Sequence, residues 1–419
     1  MTEGDVWCWG ANDANQLGDA EGLLTGPGVD RSLPVHVRGF GVREGTGLKA
    51  VSGGQPLDRG IAANATFTCA IAVSIGNGEP VSLPKVHCWG KDDTLQRTPG
   101  EVWTPRMPAV GFPVSIAAGD AFTCMLLDDR RSVACWGAQE VGQLGTGTVP
   151  LSPSNDPLQV DLTPLLKAGE TVTSLVAGAA HACVLLDSGR ALCWGSNQAG
   201  QLKGAPCPCA AGCEPESPTC GRGASFGPVE VAPLPLRPGE RVERLAAGVQ
   251  ATCAVTSEGR GLCWGGNVSG ELGHLPQVGI YAPSPMEEVG LGAGPNGELS
   301  RLREAVFGLG QHACGIDRAG EAFCWGSSVS GQAAPLPLPS GELPAGCQVL
   351  VGAVCLPAQG RQRLLAEAGV DIVAGSKHSC ALLADGTVWC WGDNARGQRG
   401  DGGVTTVLAP ELPPTRVKW

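Results

Sequence analysis

The residues best equipped for chemistry in this chain of 419 are its nineteen cysteines and six histidines. Thiolates and neutral imidazoles ligate zinc, an activated thiol is a nucleophile, and two thiols held face to face form a disulfide. Spacing separates these uses. From Cys183 to Cys193 the chain reads CVLLDSGRALC, with Ser188 at the midpoint and Gly189 after it. Cys253 and Cys263 bracket Glu258 and Gly259 in the same way, Cys314 and Cys324 bracket Ala319 and Gly320, and Cys380 and Cys390 bracket Asp385 and Gly386. A three-residue hairpin loop ending in Gly joins a type I turn to a left-handed residue, where Gly carries no Cβ penalty. Such a loop sets the two cysteines opposite each other on antiparallel strands, with Cβ atoms ~4.5–5.5 Å apart, close to what a disulfide needs. Cys124 with Cys135 and Cys69 with Cys88 repeat the scheme over longer loops. Each staple closing about ten residues is expected to add on the order of 2–3 kcal/mol. The alternative use is as reduced, buried cysteines packing like small hydrophobes.

The remaining candidates divide by the same test. Cys207, Cys209, Cys213 and Cys220 crowd into KGAPCPCAAGCEPESPTCGRG. Four close cysteines can hold zinc, but the paired C-x-x-C arms are missing, so two local disulfides of open pairing are the preferred reading. Cys347 and Cys355 are expected to close another loop, and Cys8 has no hairpin partner. His181, His312 and His378 occupy one repeat position, which a structural hydrogen bond in each repeat explains; an axial metal ring would need side chains that also converge. His36, His87 and His274 match no ligand pattern, and Asp128 with Asp129 falls at an expected hairpin tip, where acids are solvated. No phosphate loop, zinc-protease helix or calcium loop occurs. The expectation is therefore no catalytic residue, no metal and no cofactor.

The elements that must position these cysteines form a repeat. Cys-Trp-Gly occurs seven times, at Trp9, Trp89, Trp136, Trp194, Trp264, Trp325 and Trp391. Upstream of six of them lies a strand-like stretch ending in Cys, such as VAGAAHAC at Cys183 or VAGSKHSC at Cys380, and downstream of most comes a polar turn such as NDANQLG or VGQLG. A Pro-Val stretch then opens another extended segment, so each unit reads as about four short strands. The 64 glycines and 33 prolines agree with frequent turns and few long helices. Around CVLL and CALL both alternating faces are apolar, as in sheets covered on both sides. Seven such units predict an all-β, seven-bladed β-propeller of four-stranded blades with intra-blade disulfides, a single domain over 1–419 with insertions near 203–223 and 333–360. Trp supplies a large packing surface, and the Gly after it lets a neighbouring backbone approach.

Charge and composition exclude several functions. The net charge is −11 with no block of Lys or Arg, which is unlike a phosphate-backbone binder. No apolar run reaches the roughly 20 residues of a membrane span. Nineteen cysteines, twelve of them in facing pairs, point to an oxidising compartment: extracellular, periplasmic or cell surface. The chain starts inside a repeat and ends just before another Gly-x-x-His strand is due. An upstream segment, with a signal peptide not present in this sequence, is expected to complete the ring.

AGAAHACVLLDSGRALCWGSNQAGQL, from Ala177, is similar to the repeat of the regulator of chromosome condensation family, and nearly the whole chain shares the pattern. The resemblance implies seven-bladed propellers, and the extra cysteines resemble bacterial secreted variants. The family's nucleotide-exchange role fits poorly with an acidic, stapled chain lacking a basic tail. The light-sensing tryptophans of its plant photoreceptor are replaced here by Ala179, Val249 and Ser376. A secreted inhibitor that grips an enzyme with one propeller face fits the compartment but names no partner. The function expected is a non-catalytic, monomeric protein-binding scaffold. The alternatives are an enzyme acting on a sugar or peptide in the central funnel, and an exchange-factor-like regulator.

Overall fold

The structure is a computed structural model. It describes residues 6–18, 29–37, 46–47, 61–63, 67–76, 79–80, 83–90, 111–147, 152–202, 223–273, 284–288, 301–308, 311–333, 354–355, 365, 368–405 and 414–419. Two compact units emerge: Met1–Ser196 with Gly204–Val231, and Asn197–Lys203 with Ala232–Trp419.

The strands pair into antiparallel sheets in the order they leave the chain. In the first unit, Trp7–Gly10 pairs with Arg31–His36. Phe67–Gly76 then gathers Thr46–Gly47, Ile61–Ala63, Glu79–Pro80 and Lys85–Gly90. Two four-stranded meanders follow: Pro113–Ala118, Phe122–Leu127, Val133–Gly137 and Ser154–Val160; then Val172–Ala177, His181–Leu186, Ala191–Ser196 and Ala224–Glu230. The second unit holds three more. They are Val242–Ala247, Ala251–Thr256, Gly261–Gly265 and Ser284–Glu288; Leu302–Gly308, His312–Asp317, Ala322–Ser327 and Val354–Cys355; and Gly369–Ala374, His378–Leu383, Val388–Gly392 and Thr415–Arg416. Five of these seven sheets have four strands among the described residues.

The hairpin between the second and third strands is the one the cysteine spacing requires. Leu186 N–H donates to Arg190 O at 2.8 Å and Gly189 N–H to Leu186 O at 2.9 Å, closing a loop of Asp187, Ser188 and Gly189 with φ of 83° at the glycine. Gly259, Gly320 and Gly386 hold the same place at φ of 78°, 83° and 81°. The register then puts Cys183 opposite Cys193, Cys253 opposite Cys263, Cys314 opposite Cys324 and Cys380 opposite Cys390. In the hairpin joining Cys124 to Cys135 the loop is one residue longer, and Arg130 takes the left-handed position at φ 50°. Its loop is tied by Asp129, whose Oδ1 accepts the Arg131 and Ser132 amides at 2.9 Å, so this acid caps a turn as well as facing water.

Sheets within a unit meet face to face, and their apolar faces make the core. Phe122, Leu126 and Val133 of one sheet pack with Val184, Leu192 and Trp194 of the next. Phe67 and Val86 pack with Ile116 and Trp136 in the same manner. In the second unit, Ala251 and Val255 meet Phe323 and Trp325, and Val306 and Ile316 meet Ile372 and Trp391. Burying both faces explains why CVLL and CALL lack a polar alternation.

Candidate binding face

The turn end of each sheet, carrying the first hairpin and the segment after Cys-Trp-Gly, is built by one recurring set of contacts. The turn 197–202 shows it. Asn197 Oδ1 accepts the Leu202 amide at 2.9 Å, Gln201 Oε1 accepts the Ala199 amide at 2.9 Å, and Gly200 bends back at φ 80°. The side chains thus satisfy backbone donors that a tight turn would otherwise orphan. Asn12, Gln139, Asn267 and Asn394 repeat the first bond to Leu17, Leu144, Leu272 and Arg399. Gln16, Gln143, Gln332 and Gln398 repeat the second.

The tryptophan of the following sheet locks onto this turn. Trp264 Nε1–H donates to the Gln201 carbonyl at 2.8 Å, and Thr252 Oγ1–H donates to the same oxygen at 2.8 Å. Trp89 reaches Gln16, Trp194 reaches Gln143, Trp325 reaches Glu271 and Trp391 reaches Gln332, all at 2.9–3.0 Å. A buried indole N–H needs an acceptor, and the turn of the preceding repeat provides it. The glycine after each tryptophan has its own cause: Gly195 sits at φ 99°, and a Cβ there would lie 2.5 Å from Ala180 O. Cys, Trp and Gly of one motif therefore face three different neighbours: the partner strand, the preceding turn and the first hairpin.

On this constant frame the exposed tip residue varies. Asp13 and Glu140 stand at the tips in the first unit; Gln198, Val268, Val329 and Ala395 stand there in the second, with Val268 57 % and Val329 48 % exposed. The frame fixes position while the tip chooses chemistry, as in loops that recognise partners.

The opposite end carries charge clamps. Arg190 bridges Glu170 at 2.8 Å and Glu230 at 2.7 Å, and Glu170 also accepts from Ser188 Oγ and the Lys167 amide. Burial pushes the Glu170 carboxyl up, but those hydrogen bonds and Arg190 outweigh it and hold its pKa at about 2. Arg260 and Glu240 repeat the clamp at 2.8 Å with Thr256, and Glu240 is likewise held below the usual carboxylate range: burial raises it, the Arg237 amide, Thr256 and Arg260 lower it further.

The cysteines of six pairs lie at disulfide distance: Cys69 with Cys88, Cys124 with Cys135, Cys183 with Cys193, Cys253 with Cys263, Cys314 with Cys324, and Cys380 with Cys390, with Cα atoms 4.0–4.1 Å apart. Cys8 faces Val35 across its sheet and is a free thiol whose pKa burial pushes up to about 12. Cys207, Cys209, Cys213, Cys220 and Cys347 lie outside the described residues, as does His274; Cys355 ends a two-residue strand beside Gly326. His312 is buried with Nε2 2.9 Å from Ser379 Oγ, and burial lowers His181 to about 4 and His312 to about 3. His36 stacks edge-on against Trp7 at 5.3 Å. Among the described residues, no group of three or more His, Cys, Asp or Glu is placed to hold a metal. Sequence reasoning missed the indole-to-turn bond and the Glu–Arg clamps. The latter left a signal in the recurrence of LKAGETV with SGRALC and LRPGERV with EGRGLC.

Consecutive four-stranded meanders, each anchored by a tryptophan to the turn before it, define a β-propeller repeat protein. The profile of the regulator of chromosome condensation (RCC1) repeat matches residues 3–55, 114–143, 172–201 and 370–398. Those four stretches match the regulator of chromosome condensation repeat, and the chain has an all-β propeller fold of four-stranded sheets. Yeast Prp20p, from Saccharomyces cerevisiae, superposes with a TM-score of 0.70 at 19 % identity, covering 100 % of this chain and 87 % of that one, a likeness of fold. Human E3 ubiquitin-protein ligase HERC2 is 25 % identical over 98 % of this chain, which spans 7 % of that protein. The secretion-regulating guanine nucleotide exchange factor of Bos taurus is 26 % identical over 63 % of this chain and 48 % of its own length.

Proposed function

We propose that this chain is a non-catalytic protein-binding scaffold that works outside the reducing cytoplasm, secreted or at the cell surface. The observation that carries the reading is a fixed frame with variable tips. Asn or Gln side chains, with Trp and Gly, hold most of the described turns by the same bonds, while the exposed residue beside the Asn position changes from Asp13 and Glu140 to Val268 and Val329. Six cysteine pairs at bonding distance support the compartment, since such pairs persist where thiols are oxidised. A protein partner is in keeping with the relatives: the bovine protein is named an exchange factor, and Prp20p is described with binding properties to Gsp1p and histones. Those two likenesses also support a second reading, a regulator that engages a small GTPase.

The cysteine-rich segment 203–223 follows the turn 197–202 in the sequence, and we assign it to the proposed binding face. Pull-down from the native extracellular fluid with the intact protein and with residues 203–223 deleted tests the scaffold. A partner retained by the intact chain and lost on deletion is expected; equal retention by both removes that face from the proposal. Accelerated nucleotide release from a small GTPase would move the conclusion to the second reading.

A further inference from the structure

The turns differ at one buried atom. Where Gln16, Gln143, Gln201, Gln332 and Gln398 stand in their repeats, Glu271 stands in the turn 267–273. A glutamine there does two jobs. Its oxygen accepts a backbone amide, and its Nε2 donates, from Gln16 to Asp13 at 3.1 Å, from Gln332 to Ser327 Oγ at 3.4 Å and from Gln398 to Asp393 at 3.3 Å. Glu271 does the first, with Oε2 accepting the Ser269 amide at 2.7 Å. An ionised carboxylate has no donor for the second, whereas a protonated one has an O–H in place of the amide N–H.

Its surroundings favour the protonated form. Glu271 is 4 % exposed, and among the described residues no cation is paired with it. The turn contributes Asn267, Ser269 and backbone amides. From the neighbouring sheet, Trp325 donates to the Glu271 carbonyl and Gln311 accepts from Ser269 Oγ. That sheet carries the titratable residues Arg303, Glu304, His312 and Asp317; His312, next to Gln311, turns Nε2 toward Ser379 and is held neutral by burial. An isolated buried carboxylate sheds its charge rather than carry the cost of desolvation. Burial accordingly raises the Glu271 pKa to about 7, against a smaller opposing pull from the amides of Glu271, Ser269 and Val268.

We propose that Glu271 is a proton-held latch: its carboxyl is protonated in the folded turn 267–273 and mimics the glutamine of the other turns, and its ionisation loosens that turn. Val268, exposed at the tip, is ordered or released with it. The linkage has a definite sign. A carboxyl raised in the folded state gives stability that is complete below its ordinary value of 4.5 and is lost as pH rises toward about 7.

Glu271→Gln removes the proton while keeping the shape. Between pH 5 and 7.5 the unfolding constant of the wild type should rise about 50-fold relative to that of E271Q. The protection factors of the Ser269 and Leu272 amides, corrected for base-catalysed intrinsic exchange, should fall over the same range in the wild type alone. A ratio that stays constant with pH overturns the latch. Should the variant fail to fold, ¹³C titration of the Glu271 carboxyl in the wild type decides: a midpoint near 7 supports the proposal, and one at or below 5 refutes it.

Discussion

The two ends of these sheets are built on different plans. At the turn end, Trp89, Trp194, Trp264, Trp325 and Trp391 each cross to the carbonyl of the preceding repeat, so the same contact recurs wherever the described residues show both partners. At the hairpin end, fastening is local and individual: Glu170 with Arg190 and Glu240 with Arg260 clamp two sheets, while Asp129 caps a third by accepting from the Arg131 and Ser132 amides. A contact between repeats constrains both repeats, and the type of residue recurs. A contact inside one repeat constrains that repeat alone.

Removing a cross-repeat anchor should therefore be the costliest single change. Trp264→Ala empties a buried site and strands the Gln201 carbonyl with one donor fewer, so a loss of about 4 kcal/mol is expected in denaturant unfolding. A loss under about 1 kcal/mol would make the anchor no stronger than a surface contact. Arg260→Ala comes next. It leaves the fully buried Glu240 side chain without its cation, a cost of about 3 kcal/mol, whereas Arg241→Ala at the exposed pair with Glu243 should cost below about 0.5 kcal/mol. Equal costs for the two arginines would erase the distinction between clamp and surface pair.

The smallest expected effect sharpens the comparison through pH. Glu170, held at about 2, and Glu271, raised to about 7, should respond in opposite directions. The Glu170 contribution is present above the ordinary value of 4.5 and is lost as pH falls toward 2, while that of Glu271 is present below 4.5 and lost as pH rises toward 7. Glu170→Gln should flatten the acid limb of the stability profile and leave the neutral limb unchanged. An unchanged acid limb would show that Arg190 does not hold the carboxylate down.

How far the sequence led depended on whether a feature could be counted along the chain. The cysteine register was legible because a three-residue loop with Gly189, Gly259, Gly320 or Gly386 leaves one pairing. The role of tryptophan as a donor was not, since its acceptor lies in the repeat before it: Gln201 and Trp264 are 63 residues apart. Arg130 shows the other limit. Where four hairpins have glycine, it takes the left-handed conformation at φ 50° in a loop tied by Asp129, which no glycine pattern announces. Glu271 stood in plain view as ELG among QLG turns, but its meaning required knowing that the side chain is buried and lacks a cation. The expected insertions near 203–223 and 333–360 lie for the most part outside the described residues.

The account rests on facing cysteines being joined across neighbouring strands in the working protein. Peptide mapping of the protein, unfolded in denaturant with the alkylating reagent already present and digested without reductant, measures this directly. Six cross-linked peptide pairs are predicted, from Cys69 with Cys88 through Cys380 with Cys390, with Cys8 alkylated. Alkylation of those twelve cysteines as free thiols would contradict both the stapled sheets and the exported scaffold.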